Sequence, residues 1–179
     1  MSKSCNQRLR EILSKREAVL LPGASNALTA RIIEDLGFMA IYVTGAGVTN
    51  SFLGVPDIGL ISMTELANHV SAIRDVVTLP LIVDADTGFG NPLNVARTIR
   101  VLERSGANAI QLEDQEFPKR CGHFSGKGVI ASTDMIQKIR AAVDARIDPN
   151  LVIVARTDAI ATHGFEDAME RAAAYIEAG

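Results

Sequence analysis

The run Lys119-Arg120-Cys121-Gly122-His123 sets a thiol beside two cations, a glycine and an imidazole. Cationic neighbours favour a thiolate, and an adjacent glycine lets a loop bring sulfur close to a bound molecule, so this is a reactive-cysteine neighbourhood. Its alternative is a surface loop with an incidental cysteine. In Val83-Asp84-Ala85-Asp86 the period of two places Asp84 and Asp86 on one face of an extended segment, which suits a hard, oxygen-preferring cation better than a solvated pair. Glu113-Asp114 and Arg156-Thr157-Asp158 follow two further apolar runs. A guanidinium matches a carboxylate with two parallel hydrogen bonds, so Arg156 reads as a carboxylate clamp, or else as a salt bridge to one of these acids. Thr44-Gly45-Ala46-Gly47 reads as a turn whose N–H groups can cradle a carboxylate or phosphate, and Asp57 as a turn former or ligand after Gly54-Val55-Pro56. His69 and His163 read as surface or packing residues.

Elements that would position these groups alternate along the chain. Short β-branched runs at Ala18–Leu21, Ala40–Val43, Leu81–Val83, Ala109–Leu112 and Leu151–Val154 read as five strands. Amphipathic stretches at Ala27–Leu36, Met63–Val76, Leu93–Arg104, Thr133–Ala145 and Phe165–Glu177 read as helices, preceded by another at Cys5–Arg16. Ser62 and Ser132 or Thr133 are plausible helix starts, and Gly37 and Gly106 plausible stops. Repeated βα units imply a parallel sheet. The expectation is a single domain over residues 1–179, forming about the first five units of a (β/α)8 barrel. A complete barrel takes about 250 residues, so the chain reads as truncated. The alternative, a doubly wound open sheet, is disfavoured: Thr44–Gly47 lacks the third glycine and the acidic residue of a dinucleotide fingerprint.

Composition narrows the function classes. The 179 residues carry a formal net charge of −3, 47% apolar and 22% charged residues, as in an ordinary globular protein. A slightly acidic balance without a basic stripe predicts no nucleic-acid partner. No apolar run is long enough to span a bilayer and the first 16 residues are too polar for a secretory signal, so a cytoplasmic protein without a membrane partner is expected. Two cysteines, Cys5 and Cys121, make no disulfide framework.

Taken in order, Tyr42-Val43-Thr44-Gly45-Ala46-Gly47, Val83 to Gly90, Glu113-Asp114-Gln115, Lys119 to His123 and Ala155-Arg156-Thr157-Asp158 resemble the isocitrate lyase/phosphoenolpyruvate mutase superfamily, especially its short methylisocitrate lyase-like members. The resemblance covers nearly the whole chain. It implies a modified (β/α) barrel, Mg2+ with Mn2+ as a substitute, a small di- or tricarboxylate substrate, and a homotetramer in the full-length protein. It places Asp84 and Asp86 in the metal site, with Asp57 and Glu113 acting largely through water. Thr44, Gly45 and Ala46 would hold one end of the substrate and Arg156 a carboxylate. Tyr42 would sit near the substrate hydroxyl. Lys119, Arg120, Gly122 and His123 would lie with Cys121 on a loop that closes over the substrate, and Cys121 would protonate the departing carbanion.

The implied activity is carbon-carbon cleavage of 2-methylisocitrate or a substituted malate by retro-aldol or retro-Claisen chemistry. Phosphonomutases of this superfamily usually carry Asn where Cys121 stands, which argues against that branch. Phe124-Ser125-Gly126-Lys127 and Ala46 depart from the typical methylisocitrate lyase pattern, so oxaloacetate hydrolysis or decarboxylation stays open. The non-enzymatic alternative is a catalytically inactive fragment that associates through an open sheet edge.

Overall fold

The structure, a computed structural model, describes residues 3–121 and 126–179. Its helices start where the sequence supplies caps. Ser4 and Gln7 form a capping box ahead of α1 (Cys5–Ser14), and Ser62 and Glu65 form one ahead of α4 (Met63–Arg74). Asn91 caps α5 (Pro92–Arg104), whose first residue is a proline with no amide hydrogen to satisfy. The helix α2 (Ala27–Asp35) starts at Asn26, and Gly37 and Gly106 follow α2 and α5 with positive φ, as expected of helix stops. Neither Ser132 nor Thr133 caps α6 (Ser132–Ala145): the cap position is Ala131, and Ser132 is the first helical residue. The last helix is α7 (Phe165–Ala178).

Four expected strands are present as β2 (Ile41–Val43), β3 (Leu81–Asp84), β4 (Ala109–Glu113) and β5 (Val152–Arg156). The first is displaced. β1 is Gly23–Ala24, paired with Tyr42 and Val43, and the apolar run Ala18–Leu21 lies outside it. A further helix, α3 (Gly45–Leu53), occupies the stretch that reads as a glycine turn. The Thr44 side chain at its cap accepts the Gly47 amide, so the glycines open a helix where the sequence reads as a turn.

All five strands are parallel and stand in the order β1-β2-β3-β4-β5. A doubly wound sheet reverses its order at a switch point, whereas consecutive order throughout is that of a barrel wall. The two faces of the wall are chemically distinct. Ile41, Val43, Leu81, Val83, Ile110 and Leu112 face the helix layer and form the main core with Val70, Val95, Ile99, Met135 and Ile139. The other face carries Tyr42, Ile82, Ala109, Gln111, Val152 and Val154 around a cavity of about 350 Å3, with Leu9, Ile12 and Leu13 of α1 beneath. Period two then brings Asp84, Glu113 and Arg156 onto this inner face at the carboxyl ends of their strands. Among the described residues, no helix is long and apolar enough to cross a membrane.

Candidate active site

The strand ends hold an acid cluster gripped by one lysine. Lys119 Nζ lies 2.6 Å from Asp57 Oδ2, to which it donates a hydrogen bond, and 2.7 Å from Asp86 Oδ1, an ion pair without hydrogen-bond alignment. All three side chains are almost fully buried. Burial works against the Lys119 charge, but Asp86 and Asp57 more than offset it and hold the ammonium above its usual range. Lys119 comes from the segment after β4, Asp57 from the loop after α3, and Asp86 from the turn after β3. Cys121 is tied to the same loop, its amide donating to the Asp57 carbonyl at 3.0 Å.

Next to this group stand Glu113 and Arg156, which are register partners on β4 and β5. Arg156 Nη1 lies 3.6 Å from Glu113 Oε2, and its Nη2 lies 3.4 Å from Asp158 Oδ1. The salt-bridge reading of Arg156 is therefore present, to Glu113 and Asp158, and its side chain keeps 35% of its surface exposed. Burial pushes the Glu113 carboxyl up to about 8, helped by Asp84 and Asp86 and opposed by Lys119 and Arg156. Burial likewise pushes Asp86 up to about 6, against the pull of Lys119. These shifts mark carboxylates with too little compensating charge.

Three buried carboxylate oxygens, Asp57 Oδ1, Asp86 Oδ1 and Glu113 Oε1, accept no hydrogen bond among the described residues, and of these Asp86 Oδ1 has its ion pair with Lys119. Unsatisfied buried acceptors beside a surplus of negative charge are what a cation or its water shell would complete. Gly45 brings the α3 backbone close to these acids, where a side chain would crowd them: an added Cβ would stand 3.2 Å from Asp86 Oδ1 and 3.4 Å from Asp84 Oδ2. Among the described residues, no group of three or more His, Cys, Asp and Glu side chains is arranged to hold a metal by itself. The donor set still fits Mg2+, which binds through one or two carboxylates and keeps several waters.

Thr44, Gly45 and Ala46 stand at the cap and first turn of α3, where backbone N–H groups lack intrahelical acceptors and the helix dipole favours an anion. Ala46 and Asn50 share a cleft of about 490 Å3 with Asp57 and Cys121. Tyr42 lies one layer deeper: Gln111 Nε2 donates to its hydroxyl at 2.9 Å, and burial and the neighbouring Asp84 push the phenol well above its usual range. The Arg120 amide donates to Gln115 Oε1 at 2.9 Å. Gly122 and His123 lie outside the described residues. His69 packs edge-on against Phe52, and His163 contacts Thr162, in keeping with packing and surface roles.

Sequence reasoning missed the support behind the site. Asp114 is fully buried and accepts hydrogen bonds from Thr157 Oγ1 at 2.7 Å, Tyr175 at 2.9 Å and the Asp158 amide at 3.0 Å. Gln115 Nε2 donates to Asp158 Oδ2 at 2.8 Å. The alternation of β4 carried one usable signal, since Asp114 follows the inward Glu113 and must face the helices.

Residues 9–179 match the family model described as phosphoenolpyruvate phosphomutase. The chain belongs to the phosphoenolpyruvate phosphomutase family. It is 55% identical over 171 residues to a 2-methylisocitrate lyase of Aeropyrum pernix, covering 96% of this chain and 54% of that protein. The crystal structure of a 2,3-dimethylmalate lyase superposes with a TM-score of 0.94 at 38% identity, covering 100% of this chain and 61% of that one. A phosphonopyruvate hydrolase in complex with oxalate and Mg2+ gives a TM-score of 0.90 at 35% identity, covering 99% and 61%. These neighbours are (β/α) barrel enzymes of the family, and the five units of this chain match their corresponding part. The chain thus spans little more than half the length of the relatives it matches.

Proposed function

We propose that this chain carries the metal-binding and acid-base part of a Mg2+-dependent carbon-carbon lyase acting on a 2-hydroxy di- or tricarboxylate, with 2-methylisocitrate or a substituted malate as substrate. The observation that carries the proposal is the buried acid cluster, short of compensating charge and lined by orphaned oxygens, in the loop group that also anchors Cys121. The names of the 2-methylisocitrate lyase and 2,3-dimethylmalate lyase relatives support the reaction class, and the oxalate and Mg2+ complex of the phosphonopyruvate hydrolase supports the cation.

Asp84 and Asp86 would hold Mg2+, with Asp57 and Glu113 accepting hydrogen bonds from its water shell. Mg2+ would supply Lewis-acid stabilisation of negative charge on the substrate oxygens. The α3 start, through Thr44, Gly45 and Ala46, would bind one end of the substrate, and Arg156 would take a carboxylate in exchange for part of its hold on Glu113 and Asp158. Tyr42, fixed by Gln111, would sit near the substrate hydroxyl. Transfer of the hydroxyl proton to an ionised carboxylate of the acid cluster would turn that oxygen into a carbonyl as the carbon-carbon bond breaks, and the bond's electron pair would stay on the departing carbon. Cys121 would give its proton to that carbon, leaving a thiolate that Arg120 and His123, its neighbours in sequence, would stabilise, while Lys119 holds the acids beneath the same loop. Gly122 would give this loop the freedom to close over the substrate.

The protein is proposed to act in the cytoplasm as a homotetramer when full length, with Mn2+ able to replace Mg2+. The test is release of a 2-oxo acid by the protein carrying this chain, from methylisocitrate, isocitrate, dimethylmalate, oxaloacetate and phosphonopyruvate, with Mg2+ and with chelator. Mg2+-dependent cleavage of a 2-hydroxy acid supports the proposal. Turnover confined to phosphonopyruvate, or unaffected by chelator, overturns it.

A further inference from the structure

The loop that presents Asp86 is built from backbone conformations that L side chains seldom adopt. Asp86 has φ 49°, Gly88 86°, Phe89 61° and Gly90 141°. Non-glycine residues persist in the left-handed region only where their surroundings over-determine them. Here the surroundings are explicit, because three successive carbonyls are each fixed by a different element. The Asp86 carbonyl accepts the Glu113 amide of β4 at 2.8 Å. The Thr87 carbonyl accepts Lys138 Nζ of α6 at 3.0 Å, and the Gly88 carbonyl accepts Thr98 Oγ1 of α5 at 3.1 Å.

Both side-chain donors are buried in the helix layer, Lys138 at 9% exposure and Thr98 at 1%. An ammonium there is expensive, and burial pulls the Lys138 pKa down. The lyase chemistry gives Lys138 no work at the strand ends, yet it reaches the turn next to Asp86. The loop also has little room to relax toward α5: an added Cβ at Gly88 would come within 2.5 Å of Val95 Cγ2.

We propose that Thr98 and Lys138 are positioning residues for the cation site, holding the Thr87 and Gly88 carbonyls so that the left-handed turn aims the Asp86 carboxylate at the strand ends. The proposal rests on the reading of Asp86 as a cation ligand. It assigns a task to two side chains in the helix layer that face away from the cleft. Residues supporting metal ligands typically change affinity about 10- to 100-fold when replaced.

The test is Mg2+ titration of the protein carrying this chain by calorimetry, with amide hydrogen exchange of residues 86–89 measured without metal. Thr98→Val keeps the shape and removes the donor, Thr98→Ser restores it, and Lys138→Met removes the ammonium. Ile139→Val, a core change on α6, controls for general loss of stability. The expected result is Mg2+ affinity weakened about 10-fold and faster exchange in Thr98→Val and Lys138→Met, with Thr98→Ser and Ile139→Val close to the unaltered chain. Unchanged affinity and exchange in both donor-less variants, or an equal loss in Ile139→Val, would overturn the proposal. An unaltered chain that does not bind Mg2+ would overturn the cation reading together with it, and the exchange arm would separately decide whether the two side chains hold the loop.

Discussion

Lys119 stands 2.7 Å from Asp86 and so places the one ammonium of the reactive-cysteine segment inside the acid cluster at the strand ends. The contact joins two motifs that are separate in sequence. It also makes the lysine a structural counter-ion, whose loss would leave buried carboxylates unpaired.

Lys119→Met is therefore expected to destabilise the metal-free chain by about 3 kcal/mol, the usual scale for breaking one side of a buried ion pair. Mg2+ should restore part of that loss, since a cation can take over the vacated charge. Urea unfolding with and without Mg2+ checks both statements.

The raised carboxyls set a pH dependence. Glu113 rises from 4.5 unfolded to about 8 folded, and Asp86 from 3.8 to about 6. In these windows the folded chain binds more protons than the unfolded one, so stability falls as pH rises from about 4 through 8. Unfolding curves at pH 5, 6.5 and 8 without metal should show this decline. Mg2+ should stabilise the chain more at pH 8 than at pH 5, because ionised acids bind it.

Tyr175→Phe removes one of the donors to the buried Asp114 carboxylate and keeps the ring. A hydrogen bond to a charged acceptor is worth about 1.5 kcal/mol or more, and a loss of that size is expected in the unfolding free energy. Thr157, Arg171 and the Asp158 amide remain on Asp114, which should keep the fold intact.

Arg156→Lys is expected to raise KM roughly tenfold, with a smaller effect on kcat, because a point charge cannot reproduce a two-pronged grip on a carboxylate. Steady-state kinetics of the protein carrying this chain would measure it. An unchanged KM would remove Arg156 from substrate binding and leave it only its Glu113 and Asp158 contacts.

Strands β2 to β5 are legible from their branched apolar runs, buried in β2 to β4 and half-buried in β5, and Asp84, Glu113 and Arg156 are legible as the polar residues at their carboxyl ends. The period-two pairing of Asp84 with Asp86 stops at Asp84, because β3 ends there and Asp86 turns to φ 49°. The first strand is not legible. Leu20 and Leu21 look like strand residues, but only Gly23 and Ala24 pair with β2, and Leu20 is left 73% exposed. Helix α3 was hidden by Gly45 and Gly47, which carry low helix propensity and gain their helix from the Thr44 cap and the packing of Val48. The grip of Lys119 on Asp57 and Asp86 had no local signal, since it arises only when three loops meet above the sheet. The pins on the Asp86 turn were obscured for a different reason: Thr98 and Lys138 occupy ordinary positions in amphipathic helices, where nothing in the pattern marks a buried donor.

The most direct test of the central claim is the Cys121→Ser variant of the protein carrying this chain, assayed for 2-oxo acid release from its best substrate in saturating Mg2+. A hydroxyl is a far poorer proton donor than a thiol, so the account predicts turnover lowered by at least about 100-fold, with Mg2+ binding retained. Turnover equal to that of the unaltered protein would contradict the account and take the proton-donor role away from Cys121.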